Sequence, residues 1–278
     1  MKIRVAVPCS TVFPGPADPL RGLCDLLERK RPETDGLHGF REIFHWSEGI
    51  FSDRFFPELE RLKLRDFFAE HSIEDFSFDL GPACRQVKMQ RQPWGEYYLP
   101  DSPILSLPEM EQMVAERIRR LREWYGGRLA VELLAYYPTA AYDSVCQPEI
   151  AGRLIESGNL LLLVDLAHAE VSAHNLGIVM QDYLEALPLQ RLAHIHISRP
   201  GFAARESLPR ELHVRHSGGL AVDTHGVPDD ADLDLAFQLA SRSALDEVFI
   251  TVEHYADVER LVKTYTNLRR RADAWNAL

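Results

Sequence analysis

Leu160-Leu161-Leu162-Leu163-Val164-Asp165-Leu166-Ala167-His168 is apolar for its first five residues and then turns ionisable. A run that is apolar throughout, rather than alternating, suits a strand covered on both faces, as in a parallel sheet. The same form recurs along the chain. Ile3–Val7, Phe40–Trp46, Phe76–Leu80, Leu129–Ala135, Leu192–Ile197 and Val248–Val252 bring the expected strands to seven, and no eighth is placed. Amphipathic stretches lie between them, with helices expected near Pro19–Lys30, Pro57–Glu70, Pro148–Ser157, Val179–Ala186, Asp232–Ser241 and Val258–Trp275. One more helix opens on the capping box Ser106-Leu107-Pro108-Glu109, carries Met110, Met113, Val114, Ile118 and Leu121 at helical spacing, and stops at Gly126-Gly127. Phe202–Val222, with Pro and Gly-Gly, reads as a long functional loop. Strand–helix alternation of this kind argues for an α/β fold, and 278 residues is the usual size of a TIM-type (β/α) barrel. One domain across residues 1–278 is expected, since no linker or repeat divides the chain.

Composition narrows the function. Hydrophobic residues are 46%, charged residues 26%, and the net charge is −11, from 42 acids against 31 bases. That balance disfavours nucleic acid or an anionic membrane as partner, because both reward basic patches. Cys9, Cys24, Cys84 and Cys146 form no CxxC pair, which suits a reduced, cytoplasmic protein. Met1-Lys2-Ile3-Arg4-Val5 runs straight into a strand without the apolar segment of a secretion signal, and Leu160–Val164 is too short to span a bilayer. No P-loop, GxGxxG or Ser nucleophile elbow is present.

Almost every strand ends in an ionisable residue. Glu42 and His45 follow the second, Asp79 the third, and Glu132 lies inside Val131-Glu132-Leu133. Asp165 and His168 follow Leu160–Val164, His194-Ile195-His196 closes the next strand, and Glu253-His254 the last, while Asp223-Thr224-His225 follows the long loop. In a barrel these ends converge on one mouth, where several carboxylates would repel one another. A divalent or trivalent cation removes that repulsion, and imidazoles add neutral donors. A lone strand-end Asp is usually a helix cap, and a lone His is usually packed or on the surface. His38, His71, His213 and His216 are read that way, and Tyr136 and Tyr137 as packing at the rim. Glu132 resists the bland reading, because a Glu inside an apolar run is costly without a partner. Mixed His and carboxylate donors without thiolate suit iron, manganese or zinc.

At these residues the chain resembles the DUF692 group, the multinuclear non-heme iron-dependent oxidative enzymes, within the xylose-isomerase-like barrel superfamily. Val131-Glu-Leu-Leu-Ala-Tyr-Tyr137 resembles the family's LLENxSSY strand. Asp165-Leu-Ala-His168 through Ser172-Ala-His174-Asn-Leu-Gly177 resembles DVNNVYVSAHNLG, and Tyr183-Leu-Glu-Ala-Leu-Pro-Leu189 with His194-Ile-His196 resembles YLDALPLDRVxEIHLAG. Asp223-Thr-His225-Gly-Val-Pro and Val252-Glu253-His254 resemble DxHGxPV and IEWD. Carried over by position, the implied metal ligands are Glu132, Asp165, His168, His196, Asp223, His225 and Glu253. His45 corresponds to the LSLHG strand, Asp79 stands where the family has a His ligand, and His168 where it has a second Asn. The chain before Phe40 is shorter than the family norm, so an incomplete or altered N-terminal βα unit is expected.

The resemblance implies one to three Fe(II)/Fe(III) ions, O2 as co-substrate, and abstraction of a hydrogen from the substrate. That substrate would be a Cys or another residue of a ribosomal precursor peptide, often delivered by a separate peptide-binding partner protein, or a small amino-acid-like molecule. Two other readings stand beside it: a Mn- or Zn-dependent isomerase, epimerase or hydrolase of the same superfamily, and a degenerate, non-catalytic binding barrel.

Overall fold

A computed structural model describes residues 1–9, 18–33, 40–213, 218–254 and 257–278. Eight strands form a closed parallel barrel: β1 (Lys2–Cys9), β2 (Leu26–Arg29), β3 (Arg41–Gly49), β4 (Asp75–Asp79), β7 (Arg128–Glu132), β8 (Leu161–Asp165), β9 (Leu192–Ile197) and β12 (Glu247–Val252), closed by pairing of β1 with both β2 and β12. Two antiparallel hairpins stand outside it: β5 (Val87–Gln92) with β6 (Gly95–Pro100), and β10 (Arg199–Ala203) with β11 (Leu220–Gly226).

The seven expected strands are all present, and the eighth is β2. It lies in the stretch read as a helix over Pro19–Lys30, of which only Asp18–Arg21 is helical. Leu, Glu and Arg are good helix formers, but Leu26–Arg29 is buried along its whole length and pairs with β1 from Ala6↔Leu26 to Cys9↔Arg29 and with β3 from Leu26↔Arg41 to Arg29↔Phe44. Tertiary pairing overrides propensity here, and the N-terminal part contributes its full share of strands rather than lacking one. The expected helix Pro57–Glu70 is two helices, Phe55–Arg61 and Leu64–His71, because Lys63 between them takes a left-handed φ of 52°. The expected loop Phe202–Val222 contributes β10 and β11, with short helical turns between them. The capping box at Ser106 and Glu109 forms, but that helix ends at Arg122, ahead of the two glycines.

Apolar strand residues face both ways. Phe44, Phe67, Phe68, Phe76 and Phe78 pack together between β3, β4 and the helices outside them, with Phe68 and Phe76 ring centres 5.0 Å apart. At the N-terminal end of the barrel, Arg41 bonds Asp75 and Glu247 at 2.7 Å each, and Arg128 also pairs with Asp75. A cavity of about 1190 Å³ opens there, lined by these already paired charges. At the opposite end β3 and β4 are drawn together around Gly49, where a Cβ would stand 1.8 Å from the Gly81 carbonyl oxygen. None of the four cysteines is in a disulfide, and no helix among the described residues is long and apolar enough to cross a membrane.

Candidate metal centre

Parallel strands of one barrel all end on the same side, so the ionisable residues that terminate them are delivered to one mouth. His45 comes from β3, Asp79 from the end of β4, Glu132 from the end of β7, Asp165 from the end of β8 and His196 from β9. His168 lies in the first turn of the helix Leu166–Leu176, Asp223 and His225 on β11, and Glu253 just past β12. Glu132 is the hub: its oxygens lie 3.0 Å from His45 Nε2, 3.2 Å from His196 Nδ1 and 3.6 Å from His168 Nδ1. His168 Nε2 reaches Asp223 at 3.3 Å, His225 Nε2 reaches the same carboxylate at 3.5 Å, and His196 Nδ1 reaches Glu253 at 3.6 Å.

The surroundings hold these groups in place. His45 Nδ1 meets the Ser77 hydroxyl and His168 Nδ1 the Leu133 carbonyl, each at 2.9 Å. Asn175, from the Ser-Ala-His-Asn-Leu-Gly motif, clamps β11 by donating to the Ala221 carbonyl and accepting from the Ala221 N–H, and it also donates to the Tyr136 carbonyl. Tyr137, read from sequence as rim packing, accepts the Asp223 backbone N–H at 3.1 Å and so also fixes the acid. His225 sits at φ 46°, a left-handed conformation uncommon in residues other than glycine.

His38 and His216 lie outside the described residues. His71 is away from the site, stacked on Phe67 at 4.2 Å and paired with Glu42. Sequence reasoning missed Glu28 and Lys30 and left His194 without a role. Glu28, on β2, is fully buried against His194, His196 and Lys30. Lys30 bridges Glu28, at 2.6 Å, and Glu253. The signal was a Glu directly after Leu26-Leu27, the pattern that singled out Glu132, hidden by the helix reading of that stretch.

Crowded acids and bases shift one another. Burial pushes Asp79 well above the usual carboxyl range, and Glu132 beside it adds to the push. Burial likewise lifts Asp165 to about 6 against the opposing pull of His168. For Glu132 burial also raises, but His45 and His196 outweigh it and hold the group well below its ordinary value. His196 and His168 go the other way: burial lowers them, yet Glu253 and Glu28 around His196, and Asp165 and Asp223 around His168, raise both well above the ordinary range. Protons on these imidazoles and on Asp79 thus do part of the neutralising that a bound cation would do.

The donors fit metal ions. His45, Asp79 and Glu132 offer ligand atoms within 4.8 Å of one another, and so do Glu132, Asp165 and His168, and Asp165, His196 and Glu253. Atoms bound at about 2.0–2.2 Å to one ion are at most about 4.4 Å apart, so each set needs only a small contraction. Asp165 Oδ1 caps its helix through the His168 N–H at 2.8 Å, while Oδ2 is buried with no hydrogen-bond partner. The helix-cap reading and the ligand reading therefore describe two oxygens of one carboxylate. A cavity of about 680 Å³ lined by His45, Asp79, Glu132, His168, Asp223 and His225 opens the site to solvent. A smaller one of about 360 Å³, walled by Tyr98, Tyr137 and Tyr142, adjoins it at His168.

Residues 98–273, well over half of the chain, match the family described as RiPP precursor modification enzyme MbnB/TglH/ChrH. A UPF0276 protein of Acaryochloris marina is 28% identical over 134 residues, covering 48% of this chain and 44% of the relative. One of Pseudomonas aeruginosa is 25% identical over 168 residues, 59% of this chain and 50% of the relative. The chain thus spans about half the length of the curated relatives it matches. Among solved structures, a xylose isomerase domain containing protein from Salmonella typhimurium superposes with a TM-score of 0.58 at 10% identity, covering 99% of this chain and 97% of that one. L-ribulose 3-epimerase superposes at 0.54 and 12%, covering 100% and 94%. At such identities they establish the fold, the xylose-isomerase-like TIM barrel.

Proposed function

We propose a reaction class from one premise: the chain belongs to the MbnB/TglH/ChrH family of RiPP precursor modification enzymes. It is an iron-dependent, O2-using oxidative enzyme that modifies a Cys or another residue of a ribosomally made precursor peptide. The observation that carries this reading is the sharing of ligands. Glu132 belongs to two donor sets and Asp165 to two, so three neighbouring pockets are strung together through bridging carboxylates. Lewis-acid catalysis works through one or two such pockets, whereas a chain of three suits a cluster that exchanges electrons.

The residues that would hold iron are His45, Asp79, Glu132, Asp165, His168, His196, Asp223, His225 and Glu253. When bound, iron would supply an open position for a substrate thiolate or carboxylate and the electrons that reduce O2. The protein's own part is placement. Ser77 and the Leu133 carbonyl orient His45 and His168, Asn175 and Tyr137 hold β11 and its acid in register, and Lys30 offsets part of the acid charge. The cavity of about 680 Å³ admits one or two side chains of an extended peptide rather than a folded domain, which leaves room for a separate partner that presents the substrate.

The test is metal content of protein purified without chelator, by elemental analysis and Mössbauer spectroscopy. Two or more irons per chain are expected, with turnover that requires O2. One zinc or manganese per chain, with turnover in a strict anaerobic box, would replace this reading with the isomerase; no metal at all would leave a binding barrel.

A further inference from the structure

We infer that Glu28 is a positioning residue for the metal centre: its carboxylate grips Nε2 of His196 and so aims Nδ1 of that ring into the carboxylate cage. This rests on the metal reading above and goes beyond it, because Glu28 lies outside the matched residues 98–273 and in none of the three linked donor sets.

Glu28 has no exposed surface, and cationic or hydroxyl groups stand against both of its oxygens. The Thr251 hydroxyl donates to Oε2 at 2.6 Å, the Lys30 ammonium stands 2.6 Å from Oε1, and His196 Nε2 lies between the two oxygens at 3.1 and 3.2 Å. An ionised carboxylate only accepts, so Nε2 must carry hydrogen; Nδ1 is then the nitrogen whose proton a metal ion would replace, taking its lone pair. That nitrogen is the one 3.2 Å from Glu132 and 3.6 Å from Glu253. The ring has no freedom to turn. It is fully buried, with His194 edge-on at 4.6 Å and His45 edge-on at 5.2 Å. A carboxylate behind a ligating imidazole fixes its tautomer and strengthens it as a donor.

Glu28, His194 and His196 could also be taken for a metal pocket of their own, since their donor atoms cluster as closely as the other sets. Thr251 argues against it. Its hydroxyl donates to Glu28 Oε2 at 2.6 Å and so accepts from His194 Nε2 at 2.7 Å, which leaves that nitrogen with a hydrogen and no lone pair for an ion.

The experiment titrates metal-free full-length protein anaerobically with Fe(II), and in parallel with Co(II), whose visible spectrum reports ligand geometry. Wild type, Glu28→Gln and Glu28→Ala are compared, with circular dichroism to establish that each folds. Glu28→Ala should weaken one ion by about 10- to 100-fold, change the Co(II) spectrum and leave the other ions unaffected. Glu28→Gln, whose amide oxygen still accepts from Nε2, should lose only severalfold. Wild-type affinity and spectrum in Glu28→Ala would overturn the inference; if that variant does not fold, the same result in Glu28→Gln overturns it. Loss of a whole additional ion of distinct spectrum in both variants would make Glu28 a ligand and overturn it too. A wild type that binds no ion would sink the metal reading itself, and this inference with it, which separates that failure from the others.

Discussion

Asp165→Asn should stabilise the metal-free protein and disable the metal-loaded one. The carboxyl at position 165 is pushed from an ordinary 3.8 to about 6, first by burial and then, against the pull of His168, by Glu132, Asp223 and Glu253. The group is 2% exposed, so solvent screens little of this. At about 1.4 kcal/mol per pKa unit, the ionised form costs the fold about 3 kcal/mol at neutral pH. The sign follows from a folded-state pKa above the unfolded one: the fold loses stability as pH rises from about 4 to 6. Asparagine removes the charge and keeps an oxygen to cap the helix through the His168 N–H. Its amide hydrogens then face carboxylates in place of a like charge. Urea and thermal unfolding of chelator-treated protein at pH 7 should show a gain of about 3 kcal/mol, roughly 6–12 °C in Tm, that shrinks towards pH 4. Adding Fe(II) at a thousand times its Kd should reverse the order, because only the wild type gains the roughly 4.1 kcal/mol that such a ligand supplies. A metal-free Asn variant less stable than wild type, or a gain that ignores pH, would refute the reasoning.

Glu132→Ala should lose at least one metal ion and all activity, since three histidines converge on that carboxylate, whereas His71→Ala should keep its metal; elemental analysis of both decides. Gly49→Ala should destabilise by about 3 kcal/mol or more in urea unfolding, because the added Cβ would lie 1.8 Å from backbone at Gly81 that cannot give way.

What the sequence made legible follows from the size of the signal each element carries. The strands β7, β8 and β12 are apolar runs with ionisable residues at their ends, and β9 sets His194 and His196 among apolar residues, so Glu132, Asp165, His196 and Glu253 could be placed from the sequence. Leu26–Arg29 has four residues, two of them charged, and its strand character comes from pairing with β1 and β3, which no local pattern announces. Glu28 vanished with it. The hairpin β5–β6 was hidden for a different reason: β5 is half-exposed and mostly polar, so it resembles a loop. Asn175 was visible as part of a motif, but its task of clamping Ala221 depends on a contact across 46 residues of chain.

The closure of the barrel sets an order in time. β1 is held between β2 and β12, and Asn276 near the C-terminus bonds both the N–H and the carbonyl of Ile3. Its first strand must therefore wait for its last before it has both neighbours. The ligand positions are strung out likewise, from His45 to Glu253, with the acid from the final strand among them. Two of the three pockets need only residues up to His168, but the third waits for His196 and Glu253. On the metal reading, the full centre would fill only once the last strand is in place, through the end where the strands finish.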